Sequence, residues 1–119
     1  MTRIRTASDH KEFLAQGEAL LVLEFSWSQP ALTSTDRIRQ WHDKWSGRSS
    51  DSGVPLYVLD GDSVADLWPW MGNSLVDHGG FGSLHLLKSG QVVHSFPKLP
   101  DVTLEEISLR CDEVFGRAT

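Results

Sequence analysis

The chain has 119 residues, 39% of them hydrophobic and 23% charged, with a formal net charge of −5. That length fits a single domain, 1–119, whose core needs no disulfide staples, and the composition excludes disordered and fibrous classes. The acidic balance argues against nucleic acid or an anionic membrane as main partner, since both demand a concentrated basic face.

At the N-terminus, MTRIRTASDHKEF lacks the apolar core of a secretory signal. Arg3–Thr6 reads as a short edge strand. Ser8 is placed to cap a helix carrying Phe13 and Leu14, and Gly17 to end it. Ala19–Phe25 is a near-continuous apolar run, the signature of a central strand covered on both faces. A Trp-Ser-Gln-Pro-Ala turn, Trp27–Ala31, leads into a long amphipathic helix with Ile38, Trp41 and Trp45 on one stripe. Arg37, Arg39, Asp43 and Lys44 are expected to face water, and with Asp36 and Arg48 they read as a solvated face rather than a basic patch.

Ser46–Gly53 reads as a loop and Val54–Leu59 as a second buried strand, with Pro55 near its start. Asp60-Gly61-Asp62-Ser63 is a turn that can cap a short helix, Val64–Trp68, beyond which Pro69 interrupts the pattern. Asn73–Gly82 reads as a glycine-rich loop. Ser83–Leu87 and Gln91–Phe96 form the clearest hairpin, joined by Lys88-Ser89-Gly90. Thr103 caps a last helix with Glu105 and Glu106 in its first turn and a stripe of Leu104, Ile107, Cys111 and Val114. No run of about 18 apolar residues is present to span a membrane. The sole cysteine, Cys111, forms no intramolecular disulfide, and a cytoplasmic address is expected.

The order β-α-β-α-β-α-β-β-α predicts an α/β three-layer sandwich: a central mixed sheet of four or five strands with helices on both faces. Residues 19–96 resemble the thioredoxin superfamily in this order and in local motifs. Trp27-Ser28-Gln29-Pro30-Ala31 is similar to Trp-Cys-x-Pro-Cys, and Tyr57-Val58-Leu59-Asp60-Gly61-Asp62 to the strand ending in Val-Asp-x-Asp. Ser83-Leu84-His85-Leu86-Leu87-Lys88-Ser89-Gly90-Gln91-Val92 resembles the family's Thr-Leu-x-x-Phe-Lys-x-Gly-x-x hairpin.

Two departures bear on function. A dithiol oxidoreductase needs a thiolate stabilised at a helix N-terminus and a second thiol to resolve the mixed disulfide. Serine and alanine stand at those positions here, and a gapless alternative places Pro30 and Thr33 there; neither alignment supplies a thiol. Directly before the hairpin, where the family carries a cis-proline beside the reactive sulfur, this chain has Gly82.

Other chemistry is weighed against structural roles. Ser28 as a nucleophile needs a base, and the nearest histidine, His42, lies over three turns along the helix. Cys111 falls on an apolar stripe, where free cysteine packs as a small hydrophobe. Across a two-residue Ser89-Gly90 turn, His85 is expected to face His94; such a pair offers two zinc ligands but no evident third. The 60–63 turn resembles the Asp-x-Asp turn of haloacid-dehalogenase-like enzymes without their larger core, and His78–Gly82 opens a strand rather than the helix of a phosphate cradle.

The resulting expectation is a redox-inactive protein-binding adaptor or chaperone-like assembly factor, with no catalytic residue, metal or cofactor. Its groove would be lined by Trp27, Ser28, Gln29 and Pro30 on one side and Phe81, Gly82 and Ser83 on the other, pairing with the backbone of an extended partner. Trp68 and Trp70 form a second candidate interface, for a protein partner or a homodimer. The alternative is a non-redox enzyme or metal-binding protein using Ser28 or the His85/His94 pair.

Overall fold

A computed structural model describes residues 2–46, 54–60 and 82–116. The loop expected after Ser46, the turn at 61–63, the helix at Val64–Trp68, Trp70, Phe81 and most of the glycine-rich loop lie outside the described residues.

A five-stranded sheet in the order β1-β3-β2-β4-β5 organises the chain. Its strands are β1 (Thr2–Ile4), β2 (Glu18–Glu24), β3 (Leu56–Asp60), β4 (Ser83–Lys88) and β5 (Gln91–Phe96). β3 lies parallel to both β1 and β2, while β4 runs antiparallel to β2 and to β5. The helices are α1 (Ala7–Leu14), α2 (Gln29–Ser46) and α3 (Leu104–Phe115), with a 3₁₀ turn at Leu99–Asp101.

The apolar run of β2 sits mid-sheet because alternate side chains feed two separate cores. Leu20 and Val22 join Ile38, Trp41, Trp45, Leu56, Val58, Leu84, Leu86, Phe96, Ile107, Cys111 and Phe115 on the face covered by α2 and α3. Leu21 and Leu23 join Phe13, Tyr57, Leu59 and Leu87 on the other face, where α1 packs. The Ile38/Trp41/Trp45 stripe is buried as its spacing predicts. Both indoles also donate across to α3: Trp41 Nε1 to Ser108 Oγ at 2.8 Å and Trp45 Nε1 to Asp112 Oδ1 at 3.0 Å.

Several local expectations are corrected. Thr6, not Ser8, caps α1: its Oγ1 accepts from Asp9 N–H while the Asp9 carboxylate accepts from the backbone of Arg5 and Thr6. Those donors, that of Arg5 foremost, hold the Asp9 carboxyl below its usual range. α1 stops at Leu14, with Ala15 as its C-cap, short of Gly17. Arg37 is not a freely solvated side chain, because its guanidinium donates to the Val102 carbonyl. α3 begins as expected, with a Thr103/Glu106 capping box, but its stripe extends to Phe115.

The hairpin turn is the two-residue Ser89-Gly90, with φ of 52° and 77°, the left-handed pair that matches strand twist. Lys88 pairs with Gln91 and Leu87 with Val92, as expected. A bulge between Leu86 and Leu87 then shifts the register by one, so that His85 faces Ser95 and His94 faces Leu86. The expected His85/His94 pair does not exist: the extra residue, Val93, turns the two rings to opposite faces of the sheet.

Candidate functional site

The end of β2 delivers the chain to the start of α2. Glu24, 7% exposed, is held there by Arg3 of β1 at 3.1 Å, which compensates the burial of a carboxylate at the strand end. Sequence reading gave this pair no role; a glutamate closing an apolar run was its only signal. After Phe25 the chain turns, Ser28 N–H donating to the Phe25 carbonyl at 2.9 Å.

Ser28 then opens α2. Its Oγ accepts from Ala31 N–H at 3.3 Å, and its carbonyl accepts from Leu32 N–H at 3.1 Å. The hydroxyl is therefore an N-cap, with the residue only 8% exposed. The one partner of the Ser28 hydroxyl among the described residues is this backbone donor, whereas a nucleophile needs a base. Trp27 is 66% exposed, its ring leaning on buried Phe25 at a centroid distance of 5.4 Å. Gln29 and Pro30 are exposed on the first turn of α2, and Gln29 Nε2 reaches Thr33 Oγ1 at 3.4 Å. No acidic residue lies in that turn.

Gly82 meets this turn from the other side. A Cβ on Gly82 would stand 3.3 Å from the Leu23 carbonyl oxygen, 3.4 Å from Ala31 Cα and 3.5 Å from Ala31 Cβ. Its φ of +86° is a conformation that suits glycine, and the close neighbours leave little room for a Cβ. The Gly82 carbonyl accepts from Leu99 N–H at 3.1 Å, tying the segment after β5 to the same point. The structure thus sets Gly82 against Leu23 and Ala31, the residue that ends the Trp27–Ala31 turn, while Phe81 lies outside the described residues. No cis peptide bond occurs among the described residues.

Beyond Gly82 lies a buried polar chain that sequence reading missed. Ser83 Oγ is 2.8 Å from His85 Nε2, and His85 Nδ1 is 2.7 Å from Ser95 Oγ. Ser83 and His85 are essentially inaccessible, so this network serves packing rather than an encounter with substrate. His94, on the opposite face, contacts the Phe96 ring edge-on at 4.7 Å. Burial lowers its pKa, Arg110 of α3 lowers it further, and Glu113 opposes them. No cluster of three metal-ligating side chains exists among the described residues, and no described helix is long and apolar enough to cross a membrane.

Cys111 lies fully buried on α3, and burial together with Asp112 pushes its thiol up to about 12. It belongs to the core beneath α2, as its place on the apolar stripe predicts.

No protein-family model and no curated protein matches the chain. Solved structures do match its fold. The germline-specific thioredoxin Deadhead of Drosophila melanogaster is 15% identical with a TM-score of 0.69, covering 96% of this chain and 99% of that one. Fasciola hepatica thioredoxin is 16% identical with a TM-score of 0.67, covering 92% and 98%. A Plasmodium falciparum thioredoxin is 9% identical with a TM-score of 0.68, covering 92% and 98%. At such identities the likeness speaks for the fold alone. The fold is thioredoxin-like: an α/β sandwich around a mixed five-stranded sheet.

Proposed function

We propose that this chain is a redox-inactive protein of thioredoxin-like fold that binds another protein as an adaptor or chaperone-like assembly factor in the cytoplasm. The site is the groove between Trp27, Ser28, Gln29 and Pro30 and the segment Phe81, Gly82 and Ser83.

The observation that carries this reading is the close approach of Gly82 to Ala31, four residues after a tryptophan, Trp27, that is 66% exposed. Exposed tryptophans are favoured anchors for a protein partner. The turn that resembles Trp-Cys-x-Pro-Cys holds Ser28 and Ala31, and the one thiol of the chain is buried in α3. Because the Gly82 carbonyl is occupied by Leu99 N–H, a bound strand would pair with other backbone groups of the segment.

Two measurements test the reading. The purified chain should leave insulin disulfides intact in the presence of dithiothreitol, beyond the rate of dithiothreitol alone; catalysed reduction would refute redox inactivity. Immobilised wild type and Trp27→Ala should then be compared in native extract. A protein retained by the first and lost by the second supports the groove, whereas equal retention moves the interface elsewhere.

A further inference from the structure

We propose that α3 is an acid-released lid on the sheet, with His94 of β5 as the group that releases it. The extra residue Val93 turns His94 onto the face that α2 and α3 cover, where it stands opposite Leu86 of β4. Its ring meets the Phe96 ring edge-on at 4.7 Å. Leu86 and Phe96 pack in one core with Ile107, Cys111 and Phe115 of α3. His94 thus sits half-buried where β5 meets α3, and its ring nitrogens make no hydrogen bond among the described residues. Such an imidazole is tolerated while neutral and costly once charged.

Among the described residues, the charges that act on the ring both come from α3: Arg110 and Glu113, themselves paired at 3.1 Å. β4 sets the apolar Leu86 opposite it, and the other residues of β5 carry no charge. Burial works against a proton on His94, Arg110 works in the same direction, and Glu113 opposes both. When α3 lifts, the ring enters water and leaves Arg110 behind. The open form therefore binds a proton more readily than the closed one. Closure is favoured above the ordinary histidine range, and that preference is lost as pH falls through the lowered value of the closed form. α3 can leave by itself because it contributes no strand to the sheet. It is held by its inner apolar stripe, by the bonds from Trp41 to Ser108 and from Trp45 to Asp112, and by Arg37 on Val102 just ahead of it. Opening bares Trp41, Trp45 and Phe96 while every strand pairing stays intact.

Native-state hydrogen exchange of the intact chain, read by mass spectrometry at pH 7.5 and 5.5 and corrected for the intrinsic effect of pH, tests this. Amides of Leu104–Phe115 should lose protection severalfold at the lower pH, while those of β2 and β3 keep theirs. His94→Gln should remove that difference between helix and sheet. Two exposed side chains supply a check that does not depend on the core. Arg110→Gln should weaken the acid response, and Glu113→Gln should strengthen it, because the two charges act on His94 with opposite sign. A merely structural ion pair would give both variants the same effect. Protection of α3 that ignores pH, an acid response that survives His94→Gln, equal responses in the Arg110 and Glu113 variants, or loss of β2 and β3 protection in step with α3 would each overturn the proposal.

Discussion

His85 faces Ser95 across the β4–β5 hairpin, with Nδ1 and Oγ 2.7 Å apart, and its other ring nitrogen meets Ser83 Oγ at 2.8 Å. One imidazole thus bridges two strands, from the buried Ser83 to the half-buried Ser95. Replacing His85 with leucine takes this partner from the buried Ser83 hydroxyl and should destabilise the fold by about 1–3 kcal/mol in urea unfolding. Adding Ser83→Ala and Ser95→Ala should recover part of that loss, because removing all polar partners costs less than orphaning one. A His85→Leu variant as stable as wild type would remove the network from the account.

Gly82 admits no side chain without strain. Gly82→Ala places a methyl 3.3 Å from the Leu23 carbonyl at φ +86° and should destabilise by about 1–3 kcal/mol, read as a lowered urea midpoint. Gly82→Pro should do worse, since the proline ring fixes φ near −65°.

Cys111 should be silent in the native protein. With its thiol raised to about 12 and no exposure, it should fail to react with a disulfide reagent at pH 8 and react fully once guanidinium unfolds the chain. Rapid native-state modification would place the thiol nearer the surface.

Acid should weaken the fold in two windows. His10 and His94 have pKa values lowered, first by burial in each case. The unfolded chain therefore binds protons before the native one, and stability present above about pH 6.5 is lost as pH falls through the lowered native values. Asp9 adds a second window, stabilising above its unfolded pKa of 3.8 and ceasing to do so as pH falls through its lower native value. Urea midpoints at pH 7.5, 6 and 5 should decline, and His94→Gln should flatten that decline; an unchanged slope would discount His94.

The joint between α2 and α3 is also testable. Trp45→Phe keeps most of the packing but removes the donor to Asp112 and should cost about 1–2 kcal/mol in thermal or urea unfolding. Trp45→Ala should cost about 3–5 kcal/mol.

Much of this architecture was legible from pattern. The run Ala19–Phe25 indicated a strand buried on both faces, and the spacing of Ile38, Trp41 and Trp45 indicated which side of α2 turns inward. Ser89-Gly90 indicated the turn and its first two pairs. What escaped depends on geometry that pattern does not encode. The bulge at Val93 has no glycine to announce it, so the histidine register came out one residue wrong. Thr6 and Ser8 are equally plausible caps by residue type, and Asp9 three residues after Thr6 decides between them through its reciprocal bond. At the candidate site, the Trp27–Ala31 turn and Gly82 were both singled out, but the approach of Gly82 to Ala31 joins segments distant in sequence.

The indole hooks also set a timetable for biosynthesis. Trp45 bonds a residue 67 positions later, and the core beneath α2 lacks Ile107, Cys111 and Phe115 until α3 has been made. At typical elongation rates of about 5–20 residues per second, Trp45 waits roughly 3–13 s for Asp112 to be synthesised. During that interval two stacked indoles and the sheet face below them have no lid. The nascent chain thus presents an adhesive surface that only its final helix can close, and truncation before Phe115 should send it to chaperones rather than to the native state.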